Sequence, residues 1–230
     1  MQVKLITHTP NPEAIIAGAA KLCYSSNDVS KIMEDLTQEN IDKFVGMLAS
    51  MGHESPLEHV SFTFSIDGVS RSCSHQLVRH RLASFSQRSQ RYVNEVSFDY
   101  VIPDAIKNNP EAKSLFEVIM EIDKSAYSNL VSILIDSGME SKQAYENARA
   151  ALPNACCTSL VMTMNARELL HFFEKRCCNR AQDEIRSVAK QMLEICKNEA
   201  PIIFKNAGPP CTTGECPEGD MSCKKNKIFD

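Results

Sequence analysis

The residues that most constrain how this 230-residue chain can fold run from Val60 to Ile66. Val60, Phe62, Phe64 and Ile66 alternate with Ser61, Thr63 and Ser65, the period of a strand with one buried and one solvated face, and Asp67-Gly68 ends the run. Such a strand needs neighbouring strands and a layer to cover its apolar side. Few other segments can supply strands. Val3 and Leu5 alternate with polar neighbours, TSLVMTM at 158–164 is strand-like, and Phe98, Tyr100 and Ile102 predict a short strand before Pro103.

Most of the remaining chain has helical spacing. Asn11-Pro12 starts a helix into EAIIAGAAKL, and from Thr37 the residues Ile41, Phe44, Val45, Leu48 and Met51 form an apolar stripe that Gly52 can end in the left-handed conformation. HESPLEH is then a loop. Val69, Cys73, Leu77 and Leu82 predict a helix to about Leu82, followed by a loop over SFSQRSQ. Pro110 opens a long helix with apolar positions Leu115, Ile119, Ile122, Leu130, Ile133 and Leu134, and Gly138 closes it. Ser141 to Leu152 predicts another helix, stopped by Pro153. Asn165 caps NARELLHFFEKR with Glu168 placed for a capping box, and a last helix runs from about Ala181 to Asn198. Helices interleaved with few strands, without regular βαβ units, predict an α+β fold: a small mixed or antiparallel sheet packed with helices. The expected division is one domain over residues 1–204 and a Cys-, Gly- and Pro-containing tail over 205–230. With 43% apolar residues the chain can bury a substantial core.

The charge distribution is uneven. The formal net charge is −4, yet from Gly68 to Asn94 there is no Asp, Glu or Lys, and five of the ten arginines fall there: Arg71, Arg79, Arg81, Arg88 and Arg91. Arginine presents a planar fork of donors that matches two oxygens of a phosphate or carboxylate, whereas lysine is a point charge, so the choice suggests oriented anion recognition. A solvated basic loop paired with acids elsewhere is the plainer reading. The acidic balance argues against a broad nucleic-acid face, and neither GxxxxGK nor GxGxxG occurs. No apolar run approaches the roughly 20 residues that span a bilayer, and MQVKLITHTP lacks the features of an export signal. A cytoplasmic protein is expected, with no membrane partner. Its ten cysteines, two pairs of them adjacent, suggest reduced core thiols rather than a disulfide framework. Cys211, Cys216 and Cys223, separated by four and six residues among Pro and Gly, read as a flexible tail rather than a zinc site. His53 and His59 are not spaced as HExxH, and Pro56 interrupts any helix between them, so no metal is expected.

RHR at 79–81, seven residues and then Ser89, GHESPLEH ahead of the FTF strand, and NARELLHFFEKR near the end together resemble the flavin-dependent thymidylate synthases. The resemblance implies transfer of a methylene group from 5,10-methylenetetrahydrofolate to carbon 5 of dUMP. FAD reduced by NADPH supplies the hydride, and dTMP and tetrahydrofolate are the products of this methyltransferase in de novo dTMP biosynthesis. It implies FAD contacts from Ser55, Arg79, His80, Arg81, Gln87, Asn165, Ala166, Arg167 and His171. For dUMP it implies Gln76, Leu77, Val78, Arg79, Gln87, Arg88, Ser89, Gln90, Arg91, Arg149 and Arg176, with Ser89, Arg91 and Arg149 at the phosphate. His53 is implied near the flavin and folate, and Arg176 as the group favouring loss of the pyrimidine N3 proton. Family members can carry Glu where this chain has Gln87, which can hydrogen-bond but cannot act as a base. Ser89 has no evident His-acid pair to activate it as a nucleophile. A folate-only thymidylate synthase needs a cysteine in a Pro-Cys-His context, whereas Pro210-Cys211 is followed by Thr212. The resemblance also implies a homotetramer with shared sites. The competing reading is a non-catalytic nucleotide- or RNA-binding module using the same arginines; it differs in binding oligonucleotides with steep salt dependence.

Overall fold

The computed structural model describes residues 1–223, the side chains of residues 49–51 excepted. In chain order the elements are β1 (Gln2–His8), α1 (Pro12–Leu22), α2 (Val29–Glu34), α3 (Gln38–Met51), β2 (Ser61–Ser70), α4 (Arg71–Leu77), β3 (Ala83–Gln87), α5 (Asp104–Lys107), α6 (Pro110–Asp136), α7 (Ser141–Ala148), β4 (Cys157–Asn165), α8 (Ala166–Arg176) and α9 (Asp183–Glu199). The strands form an open antiparallel sheet in the order β1-β2-β4-β3, and the fold is α+β as the sequence predicts. The alternation that defined β2 is realised fully: Phe62, Phe64 and Ile66 are completely buried. On the opposite face the hydroxyls of Thr63 and Thr163, on β2 and β4, hydrogen-bond at 2.9 Å.

Contacts group the chain into two compact units: Met1–Gln2, Ile66–Arg79 and Phe85–Val161 in the first, and Val3–Ser65, His80–Ser84 and Met162–Asp230 in the second. The second unit is organised around rings. Phe62 meets Phe204 edge-on with centroids 5.6 Å apart, Phe204 meets Phe173 at 5.9 Å, Phe173 meets Phe172 at 5.8 Å, and Phe172 meets His80 at 4.9 Å. The four phenylalanines are wholly buried. Replacing one such ring with Ala removes about 3–5 kcal/mol, because the void cannot close fully. The core of the first unit is built on α6. Met120 packs with Phe98 and Cys156, and Tyr127 and Val131 pack with Ala148 of α7.

Three local outcomes differ from the sequence reading. The helix expected to reach Leu82 stops at Leu77, and part of SFSQRSQ is the edge strand β3, continued by the Arg88 N–H donating to the Ser159 carbonyl at 3.0 Å. An edge strand needs only one partner and tolerates solvated Ser and Gln, so its composition imitates a loop. The strand expected at 98–102 reduces to a single bridge between Tyr100 and Cys156. On α6 the anticipated apolar positions are not the buried ones. Leu115, Ile119, Ile122, Leu130 and Ile133 are 41–63% exposed, while the inward stripe is Met120, Tyr127 and Val131. The helix is apolar on two faces, and periodicity alone does not say which one this chain covers.

Gly52 ends α3 at φ 68° and Gly138 follows α6 at φ 91°, both in the left-handed region as the sequence suggested. No disulfide joins any of the ten cysteines, and four of them, Cys73, Cys156, Cys177 and Cys196, are buried. The tail is not featureless: 3-10 turns form at Pro210–Thr212 and Gly219–Met221, the first opened by a proline whose fixed φ suits it.

Candidate active site

In the second unit the site is built on α8. Asn165 caps this helix by accepting from the Glu168 N–H at 2.9 Å, and Leu169, Phe172 and Phe173 bury its inner face. The expected capping box forms only by half, because the Glu168 carboxylate goes to His80: Oε1 lies 3.1 Å from Nδ1. Two turns further on, Arg176 Nε donates to His80 Nε2 at 3.1 Å. Glu168, Phe172 and Arg176 are spaced i, i+4, i+8, so they share one face of the helix. His80 spans that face, with its ring edge against Phe172 and 6.2 Å from His171. Burial holds the His80 pKa below the ordinary value and Arg176 pushes it the same way, against the opposing pull of Glu168.

Arg167, on the exposed side of α8, donates from Nε to Glu54 at 3.0 Å and from Nη1 to Glu58 at 2.6 Å. Glu54 precedes the Ser55–His59 3-10 turn and Glu58 lies within it, and Ser55 on this turn is exposed. His53 and Glu54 line a cavity of about 170 Å³ with Val45, Leu48, Leu57 and Leu170. Arg81 is exposed and has no side-chain partner among the described residues. Arg176 also lines a second cavity, of about 210 Å³, with Lys175, Arg180, Cys178, Cys211 and Cys216. Arg180 pairs with Glu218 there, so the tail contributes to the surroundings of Arg176.

In the first unit, Ser70 caps α4 by accepting from the Cys73 N–H at 3.0 Å, and Leu77 is buried, which sets Gln76, Val78 and Arg79 at the helix end. Gln87 is committed internally: its amide donates to Ser74 Oγ at 2.9 Å and to Thr158 Oγ1 at 3.3 Å. Arg88 donates to Ser159 Oγ at 3.0 Å. Ser89 forms a turn, its carbonyl accepting from Tyr92 and Val93 and its hydroxyl accepting from the Arg91 N–H at 3.3 Å. Gln90 reaches Cys156 Sγ at 3.7 Å. Arg91 is forked onto Glu146: Nη2 donates to Oε2 at 3.0 Å, whereas Nε lies 2.9 Å from Oε1 without hydrogen-bond alignment. Arg149 follows α7 in a 3-10 turn, where the helix end favours a cation.

Among the described residues, the side chains of Arg79 and Arg149 have no carboxylate partner. Glu95 is buried beneath this loop, its N–H donating to the Tyr127 hydroxyl at 3.2 Å. Burial raises the Glu95 carboxyl pKa, opposed by Arg88 and Arg71. Among the described residues, no three His, Cys, Asp or Glu side chains group to hold a metal ion.

Each unit thus gathers its own residues. Gln76–Arg79, Gln87–Arg91 and Arg149 belong to the first; His53, Ser55, His80, Arg81, Asn165–Arg167, His171 and Arg176 belong to the second. The sequence reading missed Glu54, Glu58, Glu146 and the partnership of Glu168. An acid that organises an arginine from a distant segment leaves no local pattern.

Residues 4–202 match the family model described as thymidylate synthase complementing protein. A protein of Clostridium tetani named flavin-dependent thymidylate synthase is 52% identical over 98% of this chain and 94% of its own. Proteins of the same name from Geobacter sulfurreducens and Pyrococcus furiosus are 48% and 40% identical, over 98% and 96% of this chain and 94% and 91% of theirs. With the arginine loop, the HESP turn and α8 all in place, the chain belongs to the flavin-dependent thymidylate synthase family.

Proposed function

We propose that this protein makes dTMP from dUMP with a flavin; its relatives are named flavin-dependent thymidylate synthases. The finer reading is that the flavin is FAD, that 5,10-methylenetetrahydrofolate gives the carbon, and that NADPH gives the electrons. The observation that carries it is the set of guanidiniums left without acids: Arg79, Arg81 and Arg149 have no side-chain partner among the described residues, in a chain with an excess of acids. Unneutralised guanidiniums on defined elements suit phosphate oxygens.

The residues also fit a dinucleotide flavin. The largely apolar cavity beside His53 suits a flat ring, and Arg81, with Arg167 at the start of α8, suits a pyrophosphate. Ser55, His80, Asn165, Ala166 and His171 complete the set within this unit. When bound and reduced, the flavin supplies the hydride that completes the methyl group. The chain's residues do the rest. Arg149, Arg91, Arg88 and Ser89 bind the dUMP phosphate, with Gln76, Leu77, Val78 and Gln90 placing the nucleotide. Arg176 sets a fixed cation beside the pyrimidine. As the N3 proton leaves, that cation stabilises the ring anion, and carbon 5 becomes the better nucleophile toward the methylene carbon. Ser89 is a ligand: its hydroxyl accepts from a backbone N–H, and no histidine reaches it among the described residues.

The exposed stripe of α6 supports a homotetramer, since isolated soluble chains rarely leave such contiguous apolar surface uncovered. A cytoplasmic location is supported by ten cysteines with no disulfide. Among the described residues no helix is long and apolar enough to cross a membrane.

The test is reconstitution with FAD, followed by assay of dTMP formation and NADPH oxidation with and without dUMP. Yellow protein that forms dTMP is expected. Protein that stays flavin-free, or that binds FAD but forms no dTMP, would overturn the reading. Sedimentation tests the assembly, with an active monomer as the opposing result.

A further inference from the structure

We propose that Glu168 and His80 are positioning residues for Arg176, the carboxylate fixing the tautomer of the imidazole and the imidazole fixing the plane of the guanidinium. This rests on the role given above to Arg176. The chemistry of the donors dictates the order. An arginine Nε–H can only donate, so His80 Nε2, 3.1 Å away, must carry a lone pair. The remaining ring proton is then on Nδ1, from which it is donated to Glu168 Oε1 at 3.1 Å. Glu168 and His80 are both buried, so the bond between them is shielded from solvent, and the bond to Arg176 is partly buried.

The framework around the ring is stiff. Glu168 and Arg176 are eight residues apart on α8, a rise of about 12 Å. The ring is edge-on to Phe172, midway between them, and Phe172 continues through Phe173 and Phe204 into the core. Arg176 is held at Nε alone, so its two terminal nitrogens keep their donors, and the residue lines the cavity of about 210 Å³. A guanidinium that must meet a flat pyrimidine gains from being held in one plane before the substrate arrives.

The imidazole also makes the arrangement sensitive to acid. Protonating His80 places a hydrogen on Nε2 and removes the acceptor. The groups that act on the ring are Glu168, Arg176 and His171, all from α8; Glu168 favours the protonated ring and the other two oppose it. Glutamine at 168 can still accept from Nδ1–H but carries no charge, so it keeps the tautomer while making the ring harder to protonate. Leucine at 168 keeps neither function.

The test compares wild type, E168Q, E168L and R176A as FAD-loaded enzymes, measuring kcat and KM for dUMP across pH, with thermal denaturation alongside. E168L is expected to lose about 10- to 100-fold in kcat with a smaller change in KM, as a misplaced catalytic group does. E168Q is expected to recover most of that loss near neutral pH and to shift the acid limb of the profile to lower pH. A role in folding alone would alter the melting temperature without moving the limb. If R176A turns over like wild type, the role given to Arg176 fails. If R176A is slow while E168L is not, or if E168Q is as slow as E168L with an unshifted limb, that role stands and the positioning by Glu168 and His80 is wrong.

Discussion

Arg167 and Arg176 in the second unit are each tied to the protein, the first to Glu54 and Glu58 and the second to His80, whereas Arg79 and Arg149 in the first unit have no carboxylate partner among the described residues. Arg91 stands between these extremes, forked onto Glu146 but with both side chains partly exposed. Between Arg176 and Arg149 the difference separates two proposed uses of one side chain; Arg167 and Arg91, proposed at phosphates, keep acid partners that hold them in place. A guanidinium that acts on a ring must keep a fixed plane, so it is braced. One that collects a mobile phosphate gains more from unspent donors and charge.

Substitutions can break this contrast. The largest effect is expected at Arg176: R176A should lower dTMP formation about 100- to 1000-fold even at saturating dUMP, since it removes stabilisation of a developing charge. A loss confined to KM would place Arg176 with the phosphate-collecting group instead. R149A should weaken dUMP binding by about tenfold or more, the scale of one charged hydrogen bond, leaving FAD affinity unchanged; equilibrium binding of both ligands checks this. R167A should weaken FAD binding by up to about tenfold while leaving the melting temperature nearly unchanged, because its ion pairs are half-exposed and screened by solvent. A large drop in melting temperature would make those pairs structural.

The smallest effect concerns Glu95, whose buried carboxyl has a raised pKa. Between the ordinary carboxylate range and that raised value the folded chain binds more protons than the unfolded one, so stability falls as pH rises through the window. E95Q should therefore gain stability at pH 8 and lose that advantage as pH falls below the ordinary carboxylate range. Urea titrations at the two pH values measure it. A loss at both would show that Arg88 and Arg71 need the charge.

How much of this could be read from residues depends on whether the signal is local. β2 was legible because burial of one face writes itself into alternate positions, and the ends of α3 and α6 were legible because only glycine takes φ near +70° or +90° cheaply. The helix α2 was missed although Asp28 caps it by accepting from the Lys31 N–H at 2.9 Å; six residues with one buried side chain, Ile32, carry too little periodicity. The arginines at 79–91 announced themselves by type and by the absence of acids. Their partners did not, since Glu146 lies 55 residues from Arg91 and Glu168 lies 88 from His80. Glu168 shows the limit most clearly. At the third position of a capped helix it satisfied a local rule, and the fold used it for a distant one.

The outward stripe of α6 has one more consequence. If copies of the chain cover Leu115, Ile119, Ile122, Leu130 and Ile133, the free energy of covering them enters the folding equilibrium through mass action. The melting temperature then rises with protein concentration, and dilution alone weakens the fold.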